Sequence, residues 1–197
     1  MIFRKAYRAA ALKVQKSDGW DSLREALGID DSIKGEKALK EATTYTCVKI
    51  LSETLGKLPL KVYQYTEGGQ KQVEHPIAPI LKLRMNKYMS AINGWKCLEV
   101  QRNLYGNAYA WMDTSKRTGA IDGIYPLDSR RMSIYIDDIG ILSKKGDLWY
   151  YYTDIDGKPY WLKREEVLHF KGLSTDGIIG MSVIEALQSS VENAKAS

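Results

Sequence analysis

The sequence predicts an α+β fold, with helices packed on mostly antiparallel sheets. Two stretches, about 37–57 and 91–105, repeat apolar residues every three and four positions, which is the helical period. From Asn107 onward the period falls to two, in short segments broken by Gly, Pro and Asp. Within that half, Asp154-Ile155-Asp156-Gly157 stands between two apolar runs, a hairpin signal that makes the sheets antiparallel.

The elements follow in chain order. Residues 1–36 read as a basic arm: Arg4, Lys5, Arg8, Lys13 and Lys16 surround Ala9, Ala10, Ala11 and Leu12. Trp20, Leu23 and Leu27 then recur at helical spacing, and Gly28 stops that short helix. Residues 37–197 read as one folded domain. Its first helix presents Cys47, Ile50, Leu51, Thr54, Leu55 and Leu58 as the face expected to be buried, and Gly56 and Pro59 end it. Leu60, Val62 and Gln64 alternate with Lys61, Tyr63 and Tyr65 as a strand, turned by Glu67-Gly68-Gly69. His75-Pro76 links to a second helical stretch.

Ser90 is positioned to cap a helix starting at Ala91. That helix has a narrow polar wedge, Lys96, Glu99 and Asn103. Trp95, Leu98 and Tyr105 lie on one side of it, and Cys97, Val100 and Leu104 on the other, so we expect it to be sandwiched in the core. It ends at Gly106. Strands are then expected at 108–112, at 121–125 closed by Pro126, around Met132, Ile134 and Ile136, at 148–153, at 158–162 and at 167–170. Ser182 with Glu185 forms a capping box for a last helix, with Ile184, Leu187, Val191 and Ala194 as its stripe.

Composition limits the function. The net charge of +5, from 29 basic and 24 acidic residues, is too mild for a dedicated DNA-binding domain. Thirteen Tyr and 5 Trp stand against 2 Phe, a choice of rings suited to half-buried strands and protein contacts. Cys47 and Cys97 cannot form a disulfide framework and read as buried thiols in a reducing cytoplasm. No apolar run is long enough for a bilayer span, and the N-terminus lacks a secretory pattern, so a soluble intracellular chain is expected.

No catalytic, cofactor-binding or metal-binding residue is assigned. With His75, His169 and two unclustered cysteines, a zinc site is not expected, and neither cysteine sits on a reactive turn. Asp154, Asp156 and Glu165 have a faint calcium-loop look. Lys158 occupies a ligand position there, and Pro159 stands where such a loop needs glycine. The segment Thr175-Asp176-Gly177-Ile178-Ile179-Gly180 could cradle a phosphate ahead of a helix, but it has no Walker lysine and reads as a plain connection. The residues alone reach an α+β domain without a visible active site. A protein-binding or small-molecule-binding module is one such domain.

Several segments together resemble the portal proteins of long-tailed bacteriophages. They are Tyr45-Thr46-Cys47-Val48-Lys49-Ile50, then Leu58-Pro59-Leu60, His75-Pro76 and Met85-Asn86. Gly106-Asn107-Ala108-Tyr109 is the most specific, followed by Ile124-Tyr125-Pro126-Leu127, Val167-Leu168-His169-Phe170 and Asp176-Gly177-Ile178-Ile179-Gly180-Met181-Ser182. The proline that usually precedes the asparagine of the Met85-Asn86 turn is missing here. The resemblance covers residues 38 to about 195 and implies a portal wing that ends near the approach to the stem. It further implies a non-enzymatic subunit of a dodecameric ring at the capsid vertex, the head-tail connector, assembled in the host bacterial cytoplasm. Its implied partners are other copies of itself, the capsid protein, the terminase large subunit and tail adaptor proteins. Double-stranded DNA would pass through the ring, touching mainly regions beyond this chain. No membrane and no cofactor are implied.

Overall fold

The computed structural model describes residues 36–183, with side chains from Thr44. The expected arm at 1–36, apart from Glu36 itself, and the final helix lie outside the described residues, except Ser182 and Val183.

Helix α1 spans Glu36–Lys57. Its expected buried face is instead exposed: Ile50, Leu51, Leu55 and Leu58 all face solvent, as does Cys47. Val48, Ser52 and Gly56, four residues apart, are the buried strip. The reason is steric. A Cβ on Gly56 would stand 3.2 Å from the Ile92 carbonyl oxygen and 2.8 Å from the Lys96 side chain. Close helix approach selects small residues, and the larger leucines would hold the two helices apart.

A hairpin follows, β1 (Tyr63–Thr66) paired with β2 (Gly69–Gln72). Short helix α2 covers Ala78–Lys82, and α3 covers Ala91–Tyr105. Ser90 caps α3 as expected, its side chain accepting from the Asn93 backbone N–H at 3.3 Å. Gly106 ends it in the left-handed region at φ 72°.

Two of the three residues of the polar wedge on α3 do not face water, while Lys96 is partly exposed. Glu99 and Asn103 are buried. Burial alone would raise the Glu99 carboxyl. Hydrogen bonds from Arg102 (Nε, 2.8 Å) and Asn103 (Nδ2, 2.9 Å) outweigh it and hold the group below its ordinary range. A wedge that satisfies itself in this way can be buried without an orphaned charge. Cys47 departs from the expected burial; Cys97 has exposed surface as a residue, yet burial pushes its thiol pKa up.

Strand β3 (Asn107–Thr114) leaves α3 directly and is central to a sheet ordered β4-β3-β8, with β4 at Ile121–Leu127 and β8 at Val167–Lys171. Both pairings are antiparallel. Pro126 lies inside β4, opposite Ala110, rather than closing it. It is tolerated because β4 is an edge strand, where one side needs no N–H donor. A second sheet is ordered β5-β6-β7: Met132–Ile136, Leu148–Thr153 and Pro159–Lys163.

Alternation along β3 divides the core in two. Ala108 and Ala110 face α3, meeting Leu98, Met85 and Ile124. Their small side chains let the helix approach the sheet. Tyr109 and Trp111 face the other way, onto Tyr150, Tyr152 and Leu162 of the second sheet. So α1, α3, the β4-β3-β8 sheet and the β5-β6-β7 sheet stack in that order. The aromatic strands divide likewise. Tyr150 and Tyr152 are core, while Tyr151 and Trp161 cluster with Tyr135 on the outer face.

Leu98 is 2% exposed at the centre of the first cluster. Leu98→Ala is expected to destabilise by about 2–5 kcal/mol, the range for emptying a packed leucine site. A urea midpoint equal to the parent's would show that α3 is not held there. Among the described residues, no helix is long and apolar enough to cross a membrane.

Candidate functional site

The most specific sequence block, Gly106-Asn107-Ala108-Tyr109, begins where α3 turns into β3. Here three distant segments meet. Asn107 is buried, and its amide reads the Gly180 backbone on both sides: Nδ2 donates to the Gly180 carbonyl at 2.9 Å, and the Gly180 N–H donates to Oδ1 at 2.8 Å. This orients the amide without ambiguity. His169 lies opposite Tyr109 on β8, and its ring stacks on Tyr109 at 4.4 Å between centroids.

The same Oδ1 sits 3.0 Å from His169 Nε2. As Oδ1 can only accept, Nε2 carries the proton, and Nδ1 accepts from the Tyr150 hydroxyl at 3.2 Å. One chain of hydrogen bonds therefore ties the second sheet, through Tyr150 and His169, to Asn107 and the 177–180 loop.

Glycines make the approach possible. A Cβ at Gly106 would lie 2.4 Å from the Gly180 carbonyl oxygen, and one at Gly180 would lie 2.1 Å from the Gly106 carbonyl oxygen. The Gly172 N–H donates to the Gly106 carbonyl at 2.7 Å. The Ser182 hydroxyl donates to the Leu104 carbonyl at 2.7 Å, and Ser129 Oγ to the Asn107 carbonyl at 2.8 Å. The segment through Ser182 is thereby fastened to the end of α3.

Burial drives the His169 pKa down to about 4, and the Lys171 charge adds to that. The ring is therefore neutral at physiological pH, as the Tyr150 bond requires. The folded value lies below the ordinary value of about 6.5, so the folded state binds fewer protons than the unfolded state. The His169 contribution is fully present above about pH 6.5 and is lost as pH falls toward 4. The parent should lose more stability than His169→Gln over that window in urea melts. Equal slopes would rule out the neutral, bonded ring.

The other sequence candidates have structural roles. Asn86 is buried. It donates to the Ile124 carbonyl at 2.7 Å and accepts from the Tyr88 and Met89 N–H groups, which pins its turn to β4. Asp154 accepts from the N–H groups of Asp156 and Lys158 at 2.9 Å each, which makes the hairpin turn.

In the 175–180 segment the amides of Gly177 to Gly180 are already engaged. Asp176 takes those of Ile178 and Ile179, Ser174 Oγ takes that of Gly177, and Asn107 takes that of Gly180. The geometry fits a connection better than a phosphate cradle. Among the described residues, no group of three His, Cys, Asp or Glu is arranged to hold a metal ion. The convergence of Asn107, His169 and Gly180 is not legible from spacing, because 73 residues separate the clamp's ends. The segments were recognisable one by one.

The family model described as phage portal protein matches residues 42–197. The portal protein of Enterobacteria phage HK97 is 29% identical over 158 residues, covering 79% of this chain and 35% of that protein. Protein BeeE of Escherichia coli strain K12 is 25% identical over 114 residues, 54% of this chain and 71% of that protein. Among solved structures, a chain from the neck of an empty GTA particle computed with C6 symmetry matches at TM-score 0.63 and 19% identity. It covers 87% of this chain and 41% of its own length. A chain from the neck of a native GTA particle computed with C12 symmetry matches at TM-score 0.60 and 18% identity, covering 86% of this chain and 40% of its own. At such identities these structures show a shared α+β fold. The chain spans about a third of the length of the HK97 protein it matches.

Proposed function

The chain belongs to the phage portal protein family, and from that premise we propose that it is the wing-containing part of a structural subunit of the portal ring. The match over residues 42–197 carries this reading, because it includes every segment that meets at the Asn107 clamp. In the proposed role, residues 37–197 form the wing and residues 1–36 an arm. The ring stands at the capsid vertex as a conduit for DNA, and it is assembled in the host cytoplasm. Terminase, capsid protein and tail adaptors dock on it, and the subunit itself catalyses nothing.

The clamp has a definite use in that role. A subunit in a ring must direct its following segments along one path, so that every copy presents them identically. Fastening Gly180 and Ser182 to the end of α3 sets that path. Negative-stain imaging of the full-length protein carrying this sequence is expected to show closed rings of twelve-fold symmetry. A full-length protein that remains monomeric across salt, pH and concentration would refute the assignment.

A further inference from the structure

The hydrogen-bond chain at the start of β3 runs in one direction. Tyr150 donates to His169 Nδ1 at 3.2 Å, and His169 Nε2–H donates to Asn107 Oδ1 at 3.0 Å. The same Oδ1 takes the Gly180 N–H at 2.8 Å, and Asn107 Nδ2 gives to the Gly180 carbonyl at 2.9 Å. Nδ2 makes one longer bond, 3.3 Å, to the Tyr105 carbonyl. Asn107 and Tyr150 are buried and His169 is half-buried, so a mismatch of donor and acceptor here is costly.

All three side chains can run the chain backwards. A hydroxyl donates or accepts, a neutral imidazole carries its one proton on either nitrogen, and an amide can turn over. With the proton on Nδ1, His169 donates to the Tyr150 hydroxyl, and its Nε2 accepts from Asn107 Nδ2. The imidazole keeps one proton throughout, so nothing is gained or lost. Gly180 cannot follow, because backbone donors and acceptors do not exchange. Its N–H would face the Nδ2 donor and its carbonyl the Oδ1 acceptor. Both bonds to Gly180 would turn repulsive together, and the Tyr105 carbonyl would be opposed in the same sense.

We propose that Tyr150, His169 and Asn107 form a two-position latch on Gly180, which one polarity of the chain holds and the other releases. The held position is the one described above. The Ser182 hydroxyl on the Leu104 carbonyl fastens the same segment whichever way the chain runs, which makes the held position the resting one. In the released position His169 and Asn107 still satisfy each other, and water reaches the turned Asn107 oxygen once Gly180 has left. The segment can therefore let go while β3, β6 and β8 stay paired. This gives the chain a two-state element, which a fixed set of bonds would lack. Its use in a ring, where every copy must hold the segment alike, rests on the reading above, whereas the latch itself does not.

The test reads the imidazole proton. Full-length protein carrying this sequence is labelled with nitrogen isotope at histidine, and solid-state NMR reports which ring nitrogen is protonated. His169→Gln assigns the signal. The parent at neutral pH is expected to carry the proton on Nε2. Gly180→Ala should displace the segment, because its Cβ would stand 2.1 Å from the Gly106 carbonyl oxygen. Amide exchange over residues 177–182 should then speed up roughly tenfold or more while β4 exchanges as in the parent, and the proton should move to Nδ1. Ser182→Ala adds no atom and should shift a smaller fraction the same way, which covers a Gly180→Ala chain that does not fold. Faster exchange with the proton still on Nε2 would overturn the latch and leave the ring reading standing, as would a parent already protonated on Nδ1. Unchanged exchange in both variants would show that Gly180 is not clamped, and the latch would fall with the clamp. A protein that moves its proton as expected but forms no ring would remove the ring reading and keep the latch.

Discussion

Gly106→Ala is expected to lower stability by about 2–5 kcal/mol, among the largest effects of any single substitution in the described domain. Two costs combine. At φ 72° a side chain pays the left-handed penalty. The new methyl group would also stand 2.4 Å from the Gly180 carbonyl oxygen and 2.6 Å from the Ser182 nitrogen, both backbone atoms that cannot rotate away. Gly119 is the control. Its φ is 69°, but nothing lies within 4 Å of its would-be Cβ. Gly119→Ala should therefore cost only the conformational part, about 1–2 kcal/mol. Urea melts of both variants separate the two costs. Equal losses would mean that the segment around Gly180 is not held against the end of α3.

Asn107→Ala should cost roughly 2–4 kcal/mol, because three groups lose their partner together: the buried Gly180 N–H and carbonyl and the half-buried His169 Nε2–H. Asn107→Asp discriminates further. A carboxylate can still accept from the Gly180 N–H and from His169, but it cannot donate to the Gly180 carbonyl. It also places a negative charge beside the imidazole, which favours the protonated ring. The His169 pKa should therefore rise from about 4, and a proton titration followed by NMR would read it. An unmoved His169 titration in Asn107→Asp would contradict the hydrogen bond between them.

Elements that depend on local chemistry were readable from the residues alone. Ser90 and Gly106 bound α3 as expected, and Asp154 to Gly157 makes its turn. What the residues could not show was which surface each face meets. The apolar period of α1 marked a real stripe but not its neighbour, and the small strip of Val48, Ser52 and Gly56 took the contact with α3. The wedge on α3 was equally ambiguous, since Glu99 and Asn103 are polar and buried at once. Pro126 reads as a strand terminator in the sequence because edge position in a sheet is a tertiary property. The candidate site followed the same rule. Each of its motifs stood out in the sequence, but their meeting depends on β3 pairing with β8.

That pairing has a temporal side. Strand β3 emerges from the ribosome with only β4 as an available neighbour, and its other edge waits for Val167–Lys171. Tyr109 and Ala110 cannot be covered on that side, and Asn107 cannot find Gly180, until synthesis has passed Ser182. Contacts between residues so far apart in the chain are slow to close, because the loop entropy comes due before the contact forms. The described domain therefore closes only after Gly180 and Ser182 have left the ribosome. A nascent chain stalled before Val167 would hold an open sheet edge along β3.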